Sequence, residues 1–180
     1  MARARTAFCA SRRAAFMLTI LALGAALGAT EVKAAVIVQF VHPEHYTDST
    51  FRNAAGSLSP KIVMDEVGRE LRRLGERFLP PGQVLSVEIL DIQLAGYNNW
   101  WSFPGNDVRI VSNAAPPPRF KLRYALRSKG KLLAASEETV ADINFLMNPS
   151  ARFSSDPLAY EKALLDTWFR DRFVGRKPAT

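Results

Sequence analysis

Apolar residues recur every three or four positions along residues 60–78, the spacing of one face of an amphipathic helix. Ser59-Pro60 begins this stretch with a typical helix start, a serine N-cap followed by proline at the first helical position. Pro80-Pro81-Gly82 must end the helix, because neither proline can donate the next backbone hydrogen bond. The apolar stripe consists of Val63, Val67, Leu71, Leu74 and Phe78.

Two glycines, Gly68 and Gly75, lie inside this predicted helix. Each costs about 1 kcal/mol relative to alanine in a helix interior. We therefore expect the helix to pack closely against a neighbouring element at both turns.

Residues 83–94 form the longest strand pattern of the chain, and it is apolar on both sides. One side carries Leu85, Val87 and Ile89, and the other carries Leu90, Ile92 and Leu94. Such a strand is typical of the middle of a sheet, so we expect a central position for it.

Four further stretches have strand patterns. Residues 119–127 alternate between apolar and mostly basic positions, and Ser128-Lys129-Gly130-Lys131 turns them into a hairpin with residues 132–142. The other two strands are predicted at residues 36–41 and 107–111.

A second amphipathic helix closes the chain. It starts at Asp156-Pro157, has a wide apolar face from Leu158 to Phe173, and ends at Arg176-Lys177-Pro178. Two helices that each have one apolar face need a sheet face to cover. The sequence thus predicts an α+β two-layer sandwich in the order β-α-β-β-β-β-α, with a largely antiparallel sheet of about five strands and both helices on one face.

The beginning of the chain has the pattern of a signal peptide. Four arginines precede an uncharged run at residues 14–27, which is too short to span a bilayer as a helix. Val32-Lys33-Ala34 is a suitable cleavage site, with Gly28 or Ala29 as alternatives. We expect residues 1–34 to be a signal peptide, residues 35–176 to be a single domain and residues 177–180 to be a disordered tail.

The export route follows from details of the same stretch. Ser11-Arg12-Arg13 resembles a twin-arginine signal, but the hydrophobic residue that should follow closely is displaced to Phe16, which favours Sec-type export. Cys9 lies before the apolar run, so the protein is not expected to be a lipoprotein. We expect a periplasmic or secreted protein that has no transmembrane span and no cysteine after cleavage.

The net positive charge of the chain is small once the predicted signal peptide is removed. Removal of residues 1–34 takes away five basic residues and one acidic residue, so the net charge falls from +7 to +3. A nucleic-acid partner is not expected for an exported chain with so small an excess of positive charge.

Four residues of one loop could bind a metal ion. His42, Glu44, His45 and Asp48 are ligand types that zinc accepts, and they include every histidine of the protein. However, Pro43 breaks the helical spacing that would aim both imidazoles at one point, and no motif marks a third ligand elsewhere. A strand-to-loop turn is the favoured interpretation, and a metal-dependent hydrolase at these residues is the alternative.

The outer side of the strand at residues 119–127 is basic. Arg119, Lys121, Arg123 and Arg127 project together and could meet an anionic surface. The hairpin would place Lys121 opposite Glu138 or Glu137, depending on the turn length, and would neutralise one lysine. A partly paired, solvated face is favoured over an anion-binding surface.

An aromatic segment follows the central strand. It contains Tyr97, Trp100, Trp101 and Phe103, and adjacent tryptophans cannot both point inward on an extended chain. Exposed aromatic side chains bind sugars or protein partners. The competing interpretation is that one tryptophan caps the core and the other lies flat over it.

Motifs of catalysis are absent from the sequence. It has no Gly-x-Ser-x-Gly elbow and no glycine-rich phosphate loop, and its carboxylates are not marked as a pair in a cleft. We therefore expect a non-catalytic protein without a cofactor.

Many short motifs occur in a fixed order along the predicted mature chain. They are Pro43-Glu44 with Tyr46-Thr47-Asp48, Leu79-Pro80-Pro81-Gly82, Asp91-Ile92 with Leu94-Ala95-Gly96, Asp107-Val108-Arg109-Ile110, Pro118-Arg119 with Leu122-Arg123-Tyr124, and Tyr160-Glu161-Lys162 with Trp168-Phe169. Together they resemble the DUF3016 family of exported bacterial proteins, whose function is not established. The chain has Gln93 where that pattern has a second acid, and neither histidine belongs to the pattern.

The resemblance implies no active site. The leading hypothesis is therefore a non-catalytic binding or envelope-interaction protein that uses the aromatic segment and the basic strand face. Its partner would be an envelope protein, a glycan or an anionic surface.

Overall fold

The structure is a computed structural model that describes residues 33–48, 58–98 and 109–175. These described residues all belong to one compact unit. In chain order the elements are β1 (Ala35–Phe40), α1 (Pro60–Phe78), β2 (Gln83–Gln93), β3 (Tyr97–Asn98), β4 (Arg109–Ile110), β5 (Arg119–Ser128), β6 (Lys131–Ala141), α2 (Pro149–Arg152) and α3 (Ala159–Phe169).

Four strands form the main sheet, in the order β1-β2-β5-β6. β1 runs parallel to β2, and the other two pairs are antiparallel, so the sheet is mixed. The α+β class and the sandwich are confirmed, and β2 lies centrally as predicted. The strand predicted at residues 107–111 lies outside this sheet, because its described part, β4, pairs with β3.

Both long helices pack on the same side of the sheet. One core cluster contains side chains of α1, α3, β2 and β5, among them Val67, Leu71, Ile89, Leu122 and Leu165, each at most 1% exposed. Burial alternates along β5, so its other face points to solvent. Among the described residues, the sheet face opposite the helices is thus open to solvent along β5.

The two glycines of α1 have different surroundings. A Cβ at Gly75 would clash with Cγ2 of Val36, so β1 and α1 approach closely there, as predicted. At Gly68 the nearest atoms belong to the Arg72 side chain of the same helix. The prediction of close packing against a neighbouring element was therefore wrong at Gly68.

The segment before α3 contains a helix that the sequence analysis missed. Asn148-Pro149 begins α2, and Asn148 Oδ1 accepts a hydrogen bond from the Ala151 N–H at 3.2 Å. This is an N-cap signal inside a stretch that was predicted to be a loop. Asp156 caps the Leu158 N–H at 2.9 Å, but α3 itself begins only at Ala159.

The last helix is followed by a wider turn, which the sequence analysis did not predict. A single π-helical turn, Arg170–Val174, follows α3. The predicted end at Arg176 and the predicted tail at residues 177–180 lie outside the described residues.

The β5–β6 register differs from both predicted alternatives. Lys129 and Gly130 form a two-residue turn with positive φ angles of 48° and 80°, a type that suits hairpins. A bulge at Leu133 then shifts the register by one residue, and Lys121 faces Thr139 instead of Glu138 or Glu137.

Among the described helices, none is long and apolar enough to cross a membrane.

Candidate functional site

The candidate site lies where β2 leaves the main sheet. The strand is followed by Leu94, Ala95 and Gly96, which are all buried. Gly96 has a φ angle of +90°, and a Cβ there would clash with the carbonyl oxygen of Ile110, so this position requires glycine. The turn leads directly into β3, which pairs with β4.

A buried ion pair lies beneath this turn. Asp48 is only 2% exposed, and its Oδ2 accepts hydrogen bonds from Arg109 Nη2 at 2.8 Å and from the Leu94 N–H at 3.0 Å. Arg109 also donates to the carbonyl oxygens of Ala95 and Gly96. Buried charges are tolerated when they are paired and hydrogen-bonded, and these bonds meet that requirement.

A third buried ionisable side chain comes from α3. Glu161 is 2% exposed, and its Oε1 accepts a hydrogen bond from the Ala95 N–H at 2.7 Å. Burial raises the pKa of Glu161 to about 7, and the nearby charge of Asp48 adds to the increase, whereas the hydrogen bond from Ala95 and the charge of Arg109 oppose it. We call Asp48, Arg109 and Glu161 the base cluster.

The base cluster fixes both ends of the aromatic segment, residues 97–108. Gly96, just before the segment, bonds through its carbonyl to Arg109 at 3.2 Å and through its N–H to Pro116 at 2.9 Å. Arg109, just after the segment, is held by Asp48. The loop before α1, the end of β2 and the start of β4 therefore meet at one point.

A second set of polar contacts lies beside the base cluster, nearer the surface. Asp91 accepts hydrogen bonds at 2.6 Å from both the N–H and the hydroxyl of Thr47. Arg119 Nη2 lies 3.3 Å from Asp91 and 3.4 Å from the Thr47 hydroxyl. These contacts fasten the loop at Thr47 to β2 and β5.

The described part of the aromatic segment contains one of the four predicted binding residues. Tyr97 lies in β3 and is 45% exposed. Trp100, Trp101 and Phe103 lie outside the described residues. Their role in binding stays a prediction.

The basic strand face carries acidic partners as well. Arg123 bonds to Glu88 at 2.9 Å and to Glu137 at 2.8 Å, and Lys121 reaches Glu137 at 3.1 Å. The hydrogen bond from Arg123 is the largest cause that holds the pKa of Glu137 below its usual range. Lys121 is thus paired as expected, although it reaches Glu137 diagonally across the strands.

The same open face contains a shallow cavity of about 310 Å³. Its lining includes Glu88, Arg123 and Glu137 beside the small side chains of Ser86, Ala125 and Ala135. Arg127 is exposed near the hairpin turn, and Arg119 forms an ion pair with Asp91. Positive charge is therefore largely balanced on this face, and no continuous basic surface is formed by the four residues.

The structure separates Asp48 from the other three candidate metal ligands. His42 and His45 lie 3.2 and 3.7 Å from Glu44 on an exposed turn. Asp48 instead belongs to the base cluster. In the ranges that the structure describes, no group of three or more His, Cys, Asp or Glu side chains is arranged to hold a metal ion.

Arg109 and Glu161 were given no role by the sequence analysis. For Glu161 a signal existed, because it shares the spacing of Leu158, Leu165 and Trp168 and is the charged member of an otherwise apolar stripe. Arg109 lies in a strand of only two residues, which gives no periodicity to interpret.

The motifs that carry the family resemblance meet at this site. Thr47-Asp48, Asp91, Leu94-Ala95-Gly96, Arg109, Arg119 and Glu161 all take part in the contacts described above. A family model described as a protein of unknown function (DUF3016) matches residues 34–171. No curated protein matches the chain.

Proposed function

The chain belongs to the DUF3016 family, and on that premise we propose that it is a non-catalytic, exported binding protein of the bacterial envelope. The proposed binding surface is the aromatic segment, with Tyr97, Trp100, Trp101 and Phe103 as contact residues. The proposed partner is an envelope protein or a glycan, since both are recognised by exposed aromatic rings.

The observation that carries this proposal is the anchoring of both segment ends by the base cluster. Asp48 is bonded to Arg109, and Arg109 is bonded to Gly96, so the two residues that flank the segment are held together. A recognition segment that leaves from a fixed base loses less conformational entropy on binding. A buried, fully hydrogen-bonded polar cluster at the base of the aromatic segment therefore suits a binding function.

The chemistry of the carboxylates also favours binding over catalysis. Asp48 accepts from Arg109, from the Leu94 N–H and from the Gln93 side chain at 3.2 Å. Glu161 has a raised pKa, as general acids often do, but it is 2% exposed and bonded to the backbone. A general acid must come within hydrogen-bond reach of its substrate, and this position favours a structural role.

Export is proposed from the signal-peptide pattern of residues 1–34. Cell fractionation and N-terminal sequencing test it. We expect the protein in the periplasm or the medium, with Ala35 as its first residue. Full-length protein that remains in the cytoplasm would contradict the proposal.

Binding is tested with the double variant Trp100→Ala/Trp101→Ala and fractionated envelope material. We expect retention on protein or glycan fractions to weaken by about tenfold or more, since each buried aromatic contact is worth on the order of 1 kcal/mol beyond its area. The thermal midpoint should stay nearly unchanged. Unchanged retention would refute the binding surface, and a large fall in the midpoint would show that the rings belong to the core.

Metal analysis separates this proposal from the alternative, a metal-dependent hydrolase. The exposed turn with His42, Glu44 and His45 is the observation on which that alternative depends. It requires stoichiometric zinc that is lost in His45→Ala. The binding proposal expects no such zinc.

A further inference from the structure

We propose that residues 143–153 form a peripheral membrane-docking segment that binds bilayers containing anionic phospholipid. We call these residues the docking segment. The proposal depends on residues outside the aromatic segment, so it can hold or fail independently of the proposed function.

Three large apolar side chains of the docking segment are unusually exposed. Ile143 and Met147 are 80% exposed, and Phe153 is 85% exposed. The next most exposed large apolar side chain in the described ranges, Ile37, is at 56%. Side chains that keep four-fifths of their surface in solvent project from the protein. A residue that inserts into a bilayer must project in this way.

The backbone that carries these side chains is well ordered by its own contacts. Phe145 points inward, is 4% exposed and packs edge-on against Tyr160 at 5.1 Å between ring centroids. The Met147 N–H donates to the Asn144 carbonyl at 2.8 Å, and Asn148 caps α2. The apolar side chains are thus presented by a built turn, and insertion would need little further ordering.

The charge pattern indicates a lipid surface as the occupant. No charged residue occurs from Ile143 to Ala151, Arg152 follows directly, and the preceding Asp142 accepts a hydrogen bond from the Asn144 N–H at 2.9 Å. Arg152 is exposed, and it takes part in no ion pair among the described residues. Interfacial segments combine these features, because apolar side chains enter the acyl boundary while a basic side chain reaches the lipid phosphates.

The polar groups around Ile143 and Met147 are also compatible with a lipid surface. Both line an open cavity of about 400 Å³, to which Asn113 and Asn144 also contribute. At headgroup depth these amides can keep their hydrogen bonds to water and phosphate, whereas a dry protein interface would have to satisfy each of them.

The test uses the natively processed protein and two kinds of vesicle. One contains phosphatidylglycerol in phosphatidylethanolamine, and the other contains phosphatidylcholine alone. We expect sedimentation with the anionic vesicles to weaken by about tenfold or more in Ile143→Ser/Met147→Ser/Phe153→Ser and about fivefold in Arg152→Gln. The matched control is Leu132→Ser/Leu133→Ser, in which two side chains that are each 51% exposed change on the β5–β6 hairpin without an expected effect.

Several results would overturn the proposal. One is the absence of binding to anionic vesicles, and another is binding that the triple variant leaves intact while its circular dichroism remains native. A dimer that depends on the three side chains, without vesicle binding, would show a protein interface instead. If Trp100→Ala/Trp101→Ala abolishes vesicle binding and the triple variant does not, the aromatic segment is the lipid ligand and the docking segment is not.

Discussion

Arg109 lies 2.8 Å from Asp48, a residue 61 positions earlier in the chain, and both side chains are largely buried. This ion pair joins the loop before α1 to the start of β4. Because Arg109 also bonds to the Gly96 carbonyl, the pair closes the base of the aromatic segment.

Removal of one partner of this pair should be costly. We expect Asp48→Asn and Arg109→Met each to lower the free energy of unfolding by about 3 kcal/mol, because each leaves the other charge buried without its main partner. Urea denaturation measures the change. The double variant should lose clearly less than the sum of the two, since it removes both charges. Additive losses would show that the two side chains act independently.

Glu161 should make stability fall as pH rises. Its pKa is about 7 in the folded protein against 4.5 in the unfolded chain, so the folded state holds the proton more tightly. The stabilisation is complete below about pH 4.5 and is lost as pH rises through 7. Relative to Glu161→Gln, the wild type should lose on the order of 3 kcal/mol of unfolding free energy between pH 4.5 and 8.

Glu66 supplies the control of opposite sign. Its pKa is held below the usual range, first by the hydrogen bond from Lys162. Its contribution is therefore present above about pH 4.5 and is lost on acidification. For Glu161, stability curves of wild type and Glu161→Gln that run parallel from pH 4.5 to 8 would contradict the raised pKa of its side chain.

The two glycines of α1 should respond in opposite directions to alanine. Gly75→Ala should destabilise the protein by about 1–3 kcal/mol, because the new methyl group clashes with Val36. Gly68→Ala should be neutral or stabilising by up to about 1 kcal/mol, because only the flexible end of Arg72 must move. Thermal unfolding compares the two. Val36→Ala should partly rescue Gly75→Ala, and equal effects at the two glycines would contradict the packing.

The sequence predicted those elements that are marked by their own residues, such as capping residues, prolines or an apolar pattern. Ser59-Pro60 and Pro80-Pro81 bound α1 as observed, and the two-sided apolar pattern of β2 indicated its central place. The β5–β6 register was not predictable, because the bulge at Leu133 has no glycine or other local mark. The parallel pairing of β1 with β2 likewise depends on a crossover through α1 that no single motif specifies.

The site was harder to predict than the fold, for a physical reason. The side chain of Asp48 was grouped with histidines that are its sequence neighbours, but its partners, Leu94 and Arg109, are 46 and 61 positions away. Only the folded backbone brings them together. Glu161 was the one member that periodicity could have identified, because a charge in an apolar helical stripe must find a buried partner.

Photo-crosslinking in living cells tests whether the aromatic segment is the binding surface. A photoreactive phenylalanine analogue replaces Tyr97 in one strain and Ile62 of α1 in another, two positions that are each 45% exposed. If the aromatic segment is the binding surface, position 97 forms a discrete adduct with an envelope component and position 62 does not. No adduct from position 97, or the same adducts from both positions, would contradict it.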